Sequence, residues 1–223
     1  MKSSWPPTSL PRKTLLEIQE GKLQYTWRGV PCQKDPFDLA LYPMLLWRER
    51  PRTIIEIGTK YGGSALWFSD TCRALGLETR IITIDIIKRN IPLAANVEFI
   101  HGNGRNLANA LPDALMRSVE RPLLVIEDAD HHSATTLAVL TFMDKYLLPG
   151  EYIIVEDGII ESLHDDTDRY GGGPQQAIEQ FLKQHSHYEV DRSYCDFFGV
   201  NVTWNTNGFI RRLPRLRSSL GTL

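Results

Sequence analysis

Cysteine is scarce: Cys32, Cys72 and Cys195 are the only three among 223 residues, and no two of them stand in CxxC spacing. An odd, unclustered set excludes a disulfide framework and a zinc knuckle, and fits reduced thiols in a cytoplasmic protein. No apolar run approaches the roughly 18 residues that cross a bilayer, and the opening MKSSWPPTSLPRK lacks a signal-peptide core, so no membrane partner is expected. A surplus of one charge is missing as well. The 25 basic and 27 acidic residues leave a formal charge of −2, which removes the electrostatic footprint of a nucleic-acid binder. Internal repeats are absent. What the chain does have is apolar material, 42% of its residues, enough for the core of one domain.

Three prolines (Pro6, Pro7, Pro11) mark residues 1–13 as an extended arm, of a kind that often packs on a neighbouring subunit, which makes a homo-oligomer an expectation. Thr14–Gln24 reads as a short helix, residues 25–31 as an aromatic loop around Trp27, and Asp35–Arg50 as a helix interrupted by Pro43. From residue 53 onward apolar β-type runs alternate with helical stretches, the pattern of a mostly parallel sheet with crossover helices. The expected strands are 53–57, 80–85, 97–100, 123–128, 152–156 and 188–192. The expected helices are 64–75, 107–119, 133–147 and 174–185. Residues 200–204 and 209–212 flank Asn207-Gly208 and predict a closing antiparallel element. Residues 161–174, polar and glycine-rich, suit a lid or an ordinary surface loop. The arginine-rich end, 214–223, reads as a solvated tail.

The chemistry gathers around Thr53–Ser64, TIIEIGTKYGGS. An apolar strand carrying Glu56 runs into a glycine turn, Gly58 to Gly62-Gly63, and Ser64 opens a helix. Glycines let the backbone approach a ligand closely, and the helix N-terminus presents free N–H groups beside it, so the turn suits a nucleotide-like ligand. Asp85 closes the next strand, where a carboxylate can accept hydrogen bonds from a ribose. Two further strand ends are acidic, Glu127-Asp128-Ala129-Asp130 and Glu156-Asp157. Carboxylates crowded at one point repel, and a hard divalent cation relieves that; oxygen ligands favour Mg²⁺, with Ca²⁺ or Mn²⁺ open, over zinc. His131 fits a base or supporting role better than ligation.

The turn EIGTKYGGS resembles motif I of class I S-adenosylmethionine-dependent methyltransferases, close to its form in the catechol O-methyltransferase group. IEDADHHS, PGEYIIVEDG, GGGPQQAIEQFL and YEVDRS with TWNTNGFIRR together resemble the cephalosporin hydroxylase-type family, which despite its name has the methyltransferase fold and includes sugar and macrolide O-methyltransferases. The resemblance covers residues 35–213. It implies an α/β, Rossmann-like class I methyltransferase fold, a doubly wound parallel sheet with an antiparallel C-terminal element, as a domain over 36–213 behind an N-terminal arm and cover (1–35).

It further implies binding of S-adenosylmethionine by Glu56, Gly58, Tyr61, Gly62 and Ser64, with Asp85 on the ribose and Gly102 and Asn103 near the adenine. A divalent cation is implied on Asp130, Glu156 and Asp157. The Asp-His pair of the catechol enzymes selects Asp130 as first ligand and leaves Asp128 near the methyl donor. Strand five ends Glu-Asp, where the catechol enzymes have Asp-Asn, a departure shared with the cephalosporin-type pattern. The expected function is a Mg²⁺-dependent O-methyltransferase acting on a hydroxyl of a small secondary metabolite, sugar or polyketide, with His131 and Asp130 at the reacting centre and Tyr61 or Trp27 as walls. Two alternatives stand beside it: a non-catalytic partner of an oxygenase, and an NAD-dependent oxidoreductase, disfavoured because Gly58-Thr59-Lys60-Tyr61-Gly62 is not G-x-G-x-x-G.

Overall fold

The computed structural model describes residues 5–91, 93–164 and 168–214. In chain order its elements are α1 (Arg12–Gln24), a two-stranded ribbon of β1 (Thr26–Trp27) and β2 (Val30–Pro31), α2 (Pro36–Glu49), β3 (Thr53–Ile57), α3 (Gly63–Ala74), β4 (Arg80–Asp85), β5 (Val97–His101), α4 (Asp113–Ser118), β6 (Leu123–Glu127), α5 (Ser133–Asp144), β7 (Tyr152–Val155), α6 (Ile160–Leu163), α7 (Gly173–Gln184), β8 (Tyr188–Val190), α8 (Arg192–Cys195) and β9 (Phe209–Arg212).

The main sheet has the order β5-β4-β3-β6-β7-β9-β8. The first five strands pair in parallel, and β9 pairs antiparallel with both β7 and β8. This is the doubly wound sheet with an antiparallel end that the sequence predicts. Chain order reverses between β3 and β6, so the crevice for a ligand opens beyond Ile57 and Glu127.

Alternation along each central strand feeds two apolar layers. On one face Ile55, Ile57, Val125 and Val155 meet Val139, Leu140 and Met143 of α5 and Ile178 and Phe181 of α7. On the other, Ile54, Leu124, Ile126 and Ile154 meet Leu41, Tyr42 and Leu45 of α2 and Phe68 and Cys72 of α3. Glu56 occupies this second face among apolar neighbours and is fully buried. A third cluster of Leu15, Ile159, Leu163 and Trp204, joined by Ile18 and Phe37, fastens α1 beside α6.

Pro43 and residues 200–204 depart from expectation. Pro43 lies inside α2 without ending it, and the helix is started by Asp35, whose side chain accepts from Phe37 N and Asp38 N. Residues 200–204 are no strand. They belong to a buried loop whose polar groups are satisfied across the chain: Trp204 N donates to Asp38 Oδ2 at 3.1 Å, and the Trp204 indole N–H donates to Gln19 Oε1 at 2.8 Å. The described part of the arm packs on its own chain, with Asn201 Nδ2 donating to Pro6 O and Ser9 N to Val200 O. Of the expected tail, only Pro214 falls within the described residues.

Candidate active site

Backbone contact decides the shape of the glycine turn. Gly58 has φ +113°, and a Cβ there would lie 1.9 Å from the carbonyl oxygen of Asp128, so the end of β3 and the end of β6 touch with no room for a side chain. A Cβ on Gly63 would sit 2.2 Å from Pro31 O, which seats the N-terminal segment directly on the turn. Gly62, at φ +82°, precedes α3. Asp85 accepts from Lys60 N and Ile87 N, each at 2.7 Å, and so holds the outer half of the turn. Glu56 accepts from Thr83 Oγ1 at 2.5 Å through one oxygen, while its other oxygen has no hydrogen-bond partner in the protein. Burial raises the Glu56 pKa, and the Lys34 ammonium opposes the rise.

A cavity of about 400 Å³ lies over this turn. Gly58 to Tyr61, Gly63, Ser64 and Asp85 line one side, Asp128, His131 and Asp157 the other, and Gln19 and Lys22 of α1 close it from above. A neighbouring hollow of about 150 Å³ shares Gly58, Asp85 and Ala129 and is walled by Gly102, Asn103 and Asp130. Tyr61 is exposed at the mouth, with the Arg89 guanidinium 5.4 Å from its ring centroid. Trp27, expected as a wall, instead turns to α3 and donates to Asp70 at 2.9 Å.

The acidic strand ends meet, in a different combination from the one expected. Asp128, His131 and Asp157 each place a ligand atom within 4.8 Å of the other two. His131 and Asp157 have φ of +57° and +54°, left-handed conformations uncommon for these residue types, which mark the bends after β6 and β7. Asp130 faces outward. Near the start of α5 it accepts from His132 N and Thr135 Oγ1, both at 3.0 Å, and it lies 3.6 Å from Arg105 of the segment after β5. Glu156 is buried beneath the group with both oxygens engaged, one accepting from the Tyr42 hydroxyl at 2.6 Å and the other from Lys34. Asp130, Glu156 and Asp157 therefore do not form the converging set. Asp128, rather than Asp130, lies beside His131 and Asp157 in this structure.

Two lysines that sequence reasoning passed over complete the site. Lys34 donates to Asp128 Oδ2 at 2.8 Å as well as to Glu156, and Lys22 lies 2.5 Å from Asp157 Oδ1. Asp157 Oδ2 faces His131 Nε2 at 3.4 Å. Burial alone would raise the Asp157 pKa, but the Lys22 ammonium and His131 hold it well below the usual carboxylate range. Burial and then the neighbouring Asp128 push Glu156 up, against the pull of Lys34. Nothing in the sequence near Lys22 distinguishes it from a surface lysine of a polar helix. Lys34 stands directly before the Asp35-Pro36 helix start, and that position is its one signal.

The rhamnosyl O-methyltransferase/CmcI family model matches residues 20–213, nearly the whole described chain. The chain belongs to that family. Within it, a rhamnosyl O-methyltransferase of Mycobacterium leprae is 31% identical over 192 residues, covering 84% of this chain and 82% of the relative. One from Mycobacterium tuberculosis strain H37Rv is 29% identical over 195 residues, covering 84% and 78%. Among solved structures, a CmcI structure described as Mg-SAM is 28% identical with a TM-score of 0.68, covering 86% of this chain and 78% of that one. A CmcI structure with SAH is 26% identical at 0.67, covering 96% and 97%. Family and fold together make this chain a class I S-adenosylmethionine-dependent O-methyltransferase of the CmcI type. They do not favour the oxidoreductase or the non-catalytic partner.

Proposed function

We propose that the protein methylates a hydroxyl of a deoxyhexose carried on a small glycosylated metabolite, using S-adenosylmethionine and a divalent cation, Mg²⁺ first. The convergence of Asp128, His131 and Asp157 on the cavity that the glycine turn floors carries this reading. The relatives named rhamnosyl O-methyltransferase support the acceptor class.

The donor set fits a hard cation: two carboxylates and an imidazole reach one point, and a third carboxylate, Glu156, adds negative charge beneath them. Asp128 and Asp157 would hold the ion above Glu156, which leaves His131 Nε2 free for a proton. Bound there, it would lower the pKa of an acceptor hydroxyl and hold its oxygen in place.

The remaining work belongs to the chain. Gly58 and Gly63 let the end of β6 and the Pro31 segment close onto the turn, which shapes the floor on which the donor lies, and Asp85 is placed to exchange its turn contacts for the ribose hydroxyls. Tyr61 and Ser64 border the same space, and Gly102 and Asn103 shape the adjoining hollow for the adenine. His131 Nε2 takes the acceptor proton, and Asp157 stabilises the imidazolium that results. Residues 1–35 act as a cover through α1, excluding water from a displacement that depends on alignment of donor and acceptor. Action in the cytoplasm, where the protein's own buried cysteines stay reduced, completes the reading.

A panel of rhamnosides and their aglycones incubated with labelled S-adenosylmethionine tests it. Label on the sugar of the glycosides alone is expected; label on the aglycones, or on neither set, would reject the acceptor assignment.

A further inference from the structure

We infer that Lys22 is the site's exchangeable internal cation: its ammonium competes with the divalent cation for Asp157, and thereby sets the metal affinity of the enzyme. The inference rests on the metal reading above and adds to it the residue that opposes loading.

Two ammonium groups face three carboxylates at the ends of β6 and β7, and they are not equivalent. Lys34 is held between Asp128 and Glu156, and Glu156 is locked from its other side by Tyr42. Its chain position is fixed by the adjoining Asp35 cap of α2. Withdrawing it would strand the buried Glu156 and the half-buried Asp128, which makes Lys34 a permanent counter-ion. Among the described carboxylates Lys22 contacts Asp157 alone, and, though itself buried, it reaches that oxygen from the last turn of α1 where it borders the cavity. A flexible four-carbon stem at a helix end can swing its charge toward solvent without moving the helix. The helix itself stays anchored through Leu15, Ile18 and the hydrogen bond from Trp204 to Gln19.

A cation ligated by Asp157 would meet the Lys22 ammonium close by, and two positive centres sharing one carboxylate repel strongly in a site of low dielectric. Loading therefore requires Lys22 to leave Asp157. The same exchange explains how the acids stay paired in the metal-free protein, where otherwise Asp157 would be a half-buried carboxylate facing only His131. Lys22 thus trades metal affinity for stability of the unloaded site.

Mn²⁺ titration followed by the electron paramagnetic resonance of the free ion, on the full chain without acceptor, tests this directly. Lys22→Met is expected to bind Mn²⁺ roughly tenfold more tightly than the wild type, and Lys22→Arg, which keeps the charge, to remain within about twofold of it. Binding of S-adenosylmethionine by each variant verifies that it is folded. Should the wild type bind Mn²⁺ and folded Lys22→Met bind it equally or more weakly, the inference is overturned while the metal site stands. Absence of Mn²⁺ binding by both proteins would overturn the metal reading and this inference together.

Discussion

At the scale of single residues, the site depends on a few positions where no other side chain will do. Gly58 is the sharpest case, because any Cβ would overlap the Asp128 carbonyl. Gly58→Ala should cost about 3 kcal/mol in denaturant unfolding and abolish donor binding measured by calorimetry. Retention of wild-type donor affinity would show that the two strand ends separate freely. His131 is read as the base, so His131→Ala should lower kcat by about 10²–10⁴-fold with little change in the donor KM. The glycine turn and Asp85 were legible because their chemistry is local: strand, turn and helix follow one another in sequence. The choice between Asp128 and Asp130 was not. In the structure Asp128 lies with His131 and Asp157 while Asp130 lies beside Arg105 and Thr135, a placement set by the bend after β6 rather than by the strand. No periodicity encodes that bend.

Elements carry the site's enclosure. The central strands were readable as apolar runs, since a strand covered on both faces leaves a continuous hydrophobic signature. The cover was only partly readable. α1 is polar over most of its length and buries just Leu15 and Lys22, so its docking shows neither a strong amphipathic stripe nor a reason for the lysine. The 200–208 loop reads in part as a strand, and its residues 201–208 are as buried as strand residues; what holds them is side-chain hydrogen bonding to Asp38, Gln19 and Gln175 rather than a ladder. If α1 is the lid of the cavity, Leu15→Ala should destabilise by about 2–3 kcal/mol, sensitise residues 12–24 to protease and raise KM for both substrates. Unchanged kinetics in a variant whose α1 is cleaved readily would remove the helix from the active site.

Across the whole molecule, the sheet brings acids from two strands to one point and leaves others buried below. Glu127, fully buried at the end of β6, has its pKa pushed from 4.5 up to about 8, chiefly by burial and against a hydrogen bond from Thr136. Its folded pKa is raised, so the folded state holds a proton that the unfolded chain has lost. The resulting stabilisation is complete below about pH 4.5 and is lost as pH climbs through about 8. Glu127→Gln should therefore raise the melting temperature by roughly 5 °C at pH 9, with the gain shrinking toward pH 5. A pH-independent difference between the two proteins would contradict the buried-acid account.

The central claim is that methyl transfer takes place at a donor pocket joined to a cation site on Asp128 and Asp157. Transfer of label from S-adenosylmethionine to a rhamnoside, measured in EDTA, after Mg²⁺ is restored, and in Asp157→Ala, tests it most directly. Transfer should vanish in EDTA, return with Mg²⁺ and be absent from Asp157→Ala under both conditions. Equal transfer by the wild type with and without EDTA would contradict the account.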